Sequence, residues 1–244
     1  MRNLKVVIAY DGTNYHGFQI QDNAITIQEK IQVALEKLLK QEARITSASR
    51  TDAGVHAKGH VFNLKINSSI PTEKFALALN TRLPADIIAL SAQEVEDDFH
   101  ARYFAKGKKY SYQIYNNDFQ LPFFRNYTYH IKDKLDLSAM RQAAKCLIGE
   151  HDFSSFRAAG CNAKTPIREI YQIEIKKQGC LVKIEVKGSG FLYNMVRIIS
   201  GTLIEVGLAK KKASQMKSIL AARARLKSGF TAPAKGLFLE KVYY

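Results

Sequence analysis

The spacing of the hydrophobic residues changes repeatedly along the first hundred positions, and this alternation limits the folds open to the chain. Residues 4–10 alternate apolar and polar positions, as in a half-buried strand. Residues 26–29 fit the Ser/Thr-x-x-Glu capping box, and apolar residues follow at helical spacing to about residue 40. The order strand, helix, strand, strand, helix, strand is predicted, which indicates an α+β fold with an antiparallel or mixed sheet.

A second set of elements begins near Ala105, so we expect two α+β domains, residues 1–105 and residues 106–244. In the second range, residues 136–148 are predicted to be helical. Residues 167–175 and 181–186 are predicted to form paired strands, a helix is expected from Phe191 onward, and residues 236–244 are predicted as a final strand.

The balance of charge favours a polyanionic partner. The chain has 37 Lys and Arg against 22 Asp and Glu, a net charge of +15, so nucleic acid is the leading candidate. No apolar run approaches the ~20 residues that span a bilayer, and the first residues do not resemble a signal peptide. A soluble cytoplasmic protein without a membrane partner is expected, and its three widely spaced cysteines indicate no disulfide framework and no thiolate metal site.

Residues 47–57 place a cation, a carboxylate, hydroxyls, a glycine and an imidazole between two predicted strands. Gly54 can adopt positive φ at little cost, so the chain can turn just after Asp52 and leave its carboxylate at a strand end. That position suits catalysis. A polar hairpin in which Asp52 caps a turn and Arg50 is solvated explains the same residues, so both interpretations stay open here.

Residues 99–112 interleave aromatic side chains with Lys and Arg. Stacking surfaces beside cations suit an extruded base and its phosphates. An alternating strand with Tyr110 and Tyr112 on one face and a solvated basic edge is the alternative, and one sheet face could serve both purposes. Arg197 lies among apolar neighbours in a predicted helix, where a cation usually needs a partner.

Three other kinds of site are disfavoured by their motifs. Residues 188–190 read Gly-Ser-Gly between a strand and a helix, but Tyr193 occupies the third glycine position of a dinucleotide-binding turn. His56 and His60 have the spacing of a metal pair, yet no third ligand is nearby. A zinc base deaminase requires His-x-Glu with Pro-Cys-x-x-Cys, and neither motif is present.

Residues 50–57, Arg-Thr-Asp-Ala-Gly-Val-His-Ala, resemble the signature of the tRNA pseudouridine synthase A family. Other blocks resemble that family in the same order over nearly the whole chain: residues 10–13, 17–19, 97–102, 151–156, 190–192, 195–197, 231–234 and 236–237. The resemblance implies two similar halves, each an antiparallel or mixed sheet with helices on one face, and an active-site cleft between them. It also implies isomerisation of uridine to pseudouridine at positions 38, 39 and/or 40 of the tRNA anticodon stem-loop.

The resemblance further implies a homodimer that binds the tRNA anticodon arm across both subunits, with no cofactor and no metal. It assigns Asp52 as the catalytic nucleophile and Tyr110 as the residue that stacks on the target base. Arg50 would hold the place of the flipped-out nucleotide, and Arg197 would pair with Asp52. The chemistry agrees in part, because an ionised Asp can attack the uracil ring or the sugar C1′ and a nearby Arg favours its charged form.

Two positions depart from the family pattern, Ser49 in place of the usual glycine and His60 in place of the usual glutamine. They leave open a paralogous pseudouridine synthase with a shifted target site. A non-catalytic tRNA- or RNA-binding protein is the alternative from another functional class. It explains the charge and the aromatic residues without explaining the Arg-Thr-Asp loop.

Overall fold

The computed structural model describes residues 1–244, which group into two compact units. The first unit comprises Met1–Lys106 and Phe238–Tyr244, and the second comprises Gly107–Leu237. The last seven residues count with the first unit because they pair with a strand there, whereas the sequence places them in the range 106–244. The domain division at residues 105 and 106 stays a prediction.

Ten strands and five α-helices form along the chain, which confirms the predicted α+β class. The strands are β1 (Arg2–Tyr10), β2 (Thr46–Ser47), β3 (His56–Ile66), β4 (Ile87–Val95), β5 (Gly107–Asn116), β6 (Tyr129–Ile131), β7 (Gly149–Asp152), β8 (Ile167–Gln178), β9 (Leu181–Gly188) and β10 (Leu237–Tyr243). The helices are α1 (Ile27–Leu39), α2 (Thr72–Asn80), α3 (Leu137–Lys145), α4 (Met195–Gly207) and α5 (Gln215–Ala221). None of them has the length and apolar character of a bilayer-spanning helix.

In the first unit the strands follow the order β4, β1, β3, β10. β1 pairs antiparallel with β3 and β4, β10 pairs parallel with β3, and the short β2 pairs antiparallel with β3. The register between β1 and β3 shifts between Ile8 and Tyr10, so that Tyr10 lies opposite Ala57. This pairing places the end of β1 beside the beginning of β3, where the Arg-Thr-Asp loop joins the strand.

Helix α1 begins where its local sequence predicts. The Thr26 hydroxyl accepts a hydrogen bond from the Glu29 backbone N–H, and the Glu29 carboxylate accepts one from the Thr26 backbone N–H, both at 3.4 Å. Ile27, Ile31 and Leu35 are buried along one face. Burial of each such side chain stabilises the fold by about 1.5–3 kcal/mol, so this face holds the helix against the rest of the chain.

In the second unit the strands follow the order β5, β9, β8, β7, all antiparallel, with β6 parallel to β5. Helix α4 is buried along most of its length. It begins at Met195, later than the predicted start at Phe191. Asn194 adopts left-handed backbone angles, φ +59°, so the preceding residues form a turn rather than helix.

On one polar face of the second unit's sheet, three lysine side chains surround the buried carboxylate of Glu185. Lys109 and Lys183 each place Nζ 2.9 Å from Oε1, and Lys176 Nζ lies 3.4 Å from Oε2. Burial by itself would raise the pKa of Glu185, but hydrogen bonds and charge from Lys109 and Lys183 outweigh it and lower the pKa to about 2.

This carboxylate should make stability depend on acidity. Because its pKa is depressed in the folded protein, its contribution is fully present above pH 4.5 and is lost as the pH falls from 4.5 toward 2. We expect Glu185→Gln to lower the free energy of unfolding by about 2 kcal/mol at pH 7, and the difference from wild type to vanish near pH 2. Urea unfolding across this pH range measures it. Glu174→Gln, which removes an exposed carboxylate paired with Lys176, is the control; an equal loss in both variants would contradict the role of burial.

Candidate active site

The Arg-Thr-Asp loop, residues 48–55, joins β2 to β3 and is held at both ends by the sheet. The Ala48 backbone N–H donates to the Val61 carbonyl at 2.8 Å, and the loop ends where β3 begins at His56. This confirms the expectation that the loop lies between two strands. Asp52 is partly exposed and Arg50 is exposed, so both side chains can meet a ligand.

A tight turn begins at Asp52. The Val55 backbone N–H donates to the Asp52 carbonyl at 3.1 Å, and Gly54 within the turn has φ +74°. The positive φ predicted for Gly54 is therefore confirmed. Because a residue with a Cβ rarely adopts this angle, the glycine fixes the bend that presents Asp52.

Residues 10–18 form a seat beneath this turn. The Phe18 backbone N–H donates to the Thr51 carbonyl at 3.0 Å, and the Gly54 N–H donates to the Tyr15 carbonyl at 3.2 Å. The two bonds flank Asp52 in the chain, so its backbone is fixed on both sides. The position from which the Asp52 side chain extends is therefore set by the backbone of residues 10–18.

Two glycines allow the seat and the loop to approach each other closely. A Cβ on Gly12 would lie 2.1 Å from the Val55 carbonyl oxygen, and a Cβ on Gly17 would lie 2.7 Å from the Thr51 carbonyl oxygen. Gly17 also has φ +95°. Residues 10–18 are absent from the predicted site residues. The signal in the sequence is the pair of glycines beside aromatic residues, in the two blocks 10–13 and 17–19 that resemble the family.

Side chains add further bonds between seat and loop. The Tyr10 and Thr51 hydroxyl oxygens are 2.7 Å apart and share a hydrogen bond. The Gly12 N–H donates to His56 Nδ1 at 3.1 Å, and the Asp11 carboxylate lies 3.1 Å from the same nitrogen. A neutral His56 accepts from Gly12, whereas a protonated His56 would pair with Asp11 instead.

The two positions that depart from the family pattern are joined to each other. His60 Nε2 lies 2.9 Å from the Ser49 carbonyl oxygen, to which it donates. The His60 ring also packs on Phe18, with ring centroids 4.1 Å apart. The structure contains no group of three or more His, Cys, Asp and Glu side chains arranged to hold a metal ion. His56 and His60 each form a hydrogen bond with a backbone atom, His56 with the Gly12 N–H and His60 with the Ser49 carbonyl.

Tyr110 lies in β5 of the second unit, opposite Val186 of β9. Its side chain is buried, and its ring meets the Phe191 ring edge-to-face, with centroids 5.2 Å apart and planes at 86°. Such a contact fixes the plane of the tyrosine. The side chain is thus oriented by packing.

Arg197 lies in the first turn of α4, also in the second unit. Its Nε donates to the Ala232 carbonyl and its Nη1 to the Asn194 side-chain oxygen, both at 2.8 Å. These bonds supply the polar partners expected for a cation among apolar neighbours and fix the plane of the guanidinium. Asn194 and Ala232 are further residues that the sequence did not single out, although Ala232 falls in one of the family-like blocks.

The segment that holds Ala232 is itself bound to the sheet of its unit. The Tyr112 hydroxyl donates to the Pro233 carbonyl at 2.9 Å, and burial raises the pKa of Tyr112 so that it stays protonated. A Cβ on Gly236 would lie 2.8 Å from the Tyr112 ring. Of the four predicted site residues, Arg50 and Asp52 thus lie in the first unit, and Tyr110 and Arg197 in the second.

Comparison with known proteins identifies the family of this chain. A family model described as tRNA pseudouridine synthase matches residues 6–104 and 143–244, which include Arg50, Asp52 and Arg197. Among solved structures, the chain is similar to one in the crystal structure of the archaeal box H/ACA sRNP Nop10-Cbf5 complex. That match has a TM-score of 0.38 and 14% identity, over 83% of this chain and 42% of that chain, which is too low to bear on function.

Curated relatives match from end to end. The chain is 51% identical over 244 residues to a tRNA pseudouridine synthase A of Acetivibrio thermocellus and 50% identical over 244 residues to one of a Thermoanaerobacter species. It is 47% identical over 244 residues to a tRNA pseudouridine synthase A 2 of Clostridium perfringens. Each match covers 100% of both chains. The chain therefore belongs to the tRNA pseudouridine synthase family, whose members are isomerases.

Proposed function

We propose that this protein converts uridine to pseudouridine at positions 38, 39 and/or 40 of the tRNA anticodon stem-loop, with Asp52 as the nucleophile. The observation that carries the proposal is the fixed turn at Asp52. On one side of it the Thr51 carbonyl accepts a hydrogen bond from the Phe18 N–H, and on the other the Gly54 N–H donates to the Tyr15 carbonyl. A polar hairpin without a catalytic role has no need of so rigid a seat. The family match includes this loop.

The reaction rearranges bonds within one nucleotide and needs no cofactor. The carboxylate of Asp52 attacks the uracil ring or the sugar C1′, and the bond between N1 and C1′ breaks. The detached uracil turns and C5 bonds to C1′. The bond to Asp52 breaks and returns the free carboxylate, the proton on C5 is lost and N1 gains a proton. The product is an isomer of the substrate, so no oxidant, reductant or second substrate is consumed.

Tyr110, Arg50 and Arg197 have supporting roles in this proposal. Tyr110 stacks on the target base and keeps the detached ring from leaving, which its orientation by Phe191 supports. Arg50 is exposed and holds the place of the extruded nucleotide. Arg197 favours the ionised form of Asp52, and its two fixed hydrogen bonds keep its charge in one position.

The charge of the chain supports tRNA as the substrate. With a net charge of +15, the protein should attract the phosphate backbone before any base is recognised. We place this activity in the cytoplasm. Support comes from Cys146, Cys161 and Cys180, which form no disulfide, as is usual in a reducing compartment.

We also propose that the protein is a homodimer, supported by an apolar loop in the second unit. Phe119 and Phe123 are 81% and 83% exposed, and Leu121 is 47% exposed. A second copy of the chain would cover these apolar side chains.

Phe123→Asp tests this dimer. Placing a charge in the loop should separate the subunits, because burying an unpaired carboxylate in an apolar interface costs several kcal/mol. Light scattering should give about twice the 27.5 kDa chain mass for wild type and about half that value for the variant. Leu226→Asp, at a position 96% exposed and outside this loop, should leave the mass unchanged. A monomeric wild type at micromolar concentration would refute the dimer.

The activity itself is tested with tRNA tritiated at uracil C5, because forming the new bond releases that tritium. We expect wild type to release it, and mapping of the product to place pseudouridine at positions 38, 39 or 40. Pseudouridine elsewhere would favour a paralogue with a shifted target, and binding without release would favour an RNA-binding protein. Alanine variants of Tyr110, Arg50 and Arg197 should each slow release, and a variant with the wild-type rate loses its assigned role.

A further inference from the structure

Residues 100–104, the His100–Phe104 turn, connect β4 to β5 and display an aromatic ring to solvent. The Phe104 backbone N–H donates to the His100 carbonyl at 3.0 Å, which closes the turn. Tyr103 within it is 76% exposed, more than any other tyrosine of the chain. The proposed chemistry at Asp52 makes no use of this residue.

The Tyr103 ring is held in place although it is exposed. His100 Nδ1 accepts hydrogen bonds from the backbone N–H groups of Arg102 and Tyr103, at 3.1 and 3.3 Å. The two rings lie 4.2 Å apart with planes at 32°, so the imidazole backs one side of the tyrosine. An aromatic ring fixed in this way loses little conformational entropy when a ligand stacks on it.

A cation lies beside the exposed ring. The Arg102 guanidinium carbon is 5.9 Å from the Tyr103 ring centroid, and the Arg102 side chain is exposed. A ring for the base next to a guanidinium for the phosphate is the combination that binds a single nucleotide of RNA.

The turn is anchored on the sheet of the first unit. The Ala101 N–H donates to the Asn63 side-chain oxygen at 2.9 Å, and the Ala101 carbonyl accepts from the Tyr244 hydroxyl at 2.8 Å. Asn63 lies seven residues along β3 from His56, where the Arg-Thr-Asp loop ends. At ~3.3 Å per strand residue the anchor is about 20 Å from the end of that loop. One nucleotide cannot occupy both places.

We propose that the His100–Phe104 turn is a second RNA-binding site, at which Tyr103 stacks on an unpaired base and Arg102 contacts its phosphate. The proposal rests on tRNA being the substrate and adds a contact outside the anticodon stem-loop. RNA is favoured over a protein partner by the net charge of +15. Asp97 and Asp98 line a cavity of about 480 Å³ that also borders His100, so phosphate should bind on the Arg102 side rather than in that cavity.

Equilibrium binding of unmodified tRNA and of an isolated anticodon stem-loop tests this site. We expect Tyr103→Ala to weaken binding of whole tRNA about 5- to 150-fold, the range for loss of one stacked base, and to leave stem-loop binding unchanged. Tyr103→Phe should bind like wild type because stacking needs the ring and not the hydroxyl. Leu77→Ala, which shortens a side chain that is 72% exposed on α2, is the control and should bind both RNAs like wild type.

The salt dependence of tRNA binding distinguishes the phosphate contact of Arg102 from the stacking contact of Tyr103. Arg102→Ala should reduce the slope of log K against log salt concentration by about one, whereas Tyr103→Ala should leave the slope unchanged. Unchanged tRNA affinity in Tyr103→Ala overturns the site and points to a protein partner, and equal weakening with both RNAs also overturns it. Wild type that binds tRNA without releasing tritium refutes the proposed activity alone, whereas wild type that binds no tRNA refutes both.

Discussion

Asp52→Asn is expected to abolish tritium release from C5-tritiated tRNA, with a loss of about 10⁴-fold or more in rate. The amide has nearly the shape of the carboxylate but is a far weaker nucleophile. The turn should survive, because the bonds that fix it join backbone atoms of Asp52 and Val55, of Thr51 and Phe18, and of Gly54. The loss would then report chemistry and not the folding of the loop.

Binding of tRNA should persist in the same variant. Removing a negative charge from a surface that attracts phosphate cannot weaken the long-range attraction, so the dissociation constant should stay equal or fall. Asp22→Asn, an exposed acid of the same unit, is the matched control and should keep the wild-type rate. A rate in Asp52→Asn within tenfold of wild type would exclude Asp52 as the nucleophile.

Local signals in the sequence predict the elements around this loop well. Helix α1 begins at Ile27 because both hydrogen bonds of the capping box form between residues three apart. Contacts over so short a range can be predicted from the sequence. The bend at Gly54 is equally local, since it depends on the freedom of one residue. Helix α4 starts four residues later than its hydrophobic spacing predicts, because the left-handed angle at Asn194 interrupts a pattern that spacing alone would extend.

The contacts that hold the loop on residues 10–18 are long-range, and the sequence does not predict them. Phe18 and Thr51 are far apart in the chain, and the bond between their backbones leaves no mark in hydrophobic spacing. The same holds for the grouping of β10 with the first unit, which depends on parallel pairing with β3. A glycine can indicate such a contact in the sequence, because two backbones approach this closely only where a side chain is missing. Gly12 and Gly17 can be recognised in the sequence, but the loop residues that they contact cannot.

Gly12→Ala should therefore be a strongly damaging substitution although it lies outside the loop. Its Cβ would lie 2.1 Å from the Val55 carbonyl oxygen and 2.7 Å from the carbonyl carbon, so one backbone must move. Movement stretches the bond from the Gly12 N–H to His56 and the turn bond from Val55 to Asp52. We expect a loss of about 2–3 kcal/mol in the free energy of unfolding, with the midpoint of thermal unfolding lower by about 5–10 °C.

Activity should fall further than stability in this variant. A displacement of about 1 Å in a reacting group costs on the order of 100-fold in rate, so tritium release at a temperature where Gly12→Ala is folded should drop by that factor. Gly190→Ala is the control for stability, because its added Cβ would meet only the Arg168 side chain, at 3.8 Å, and its thermal midpoint should match wild type within a few degrees. If Gly12→Ala instead keeps the wild-type midpoint and rate, close approach of the two backbones does not position Asp52, and the seat formed by residues 10–18 has no part in catalysis.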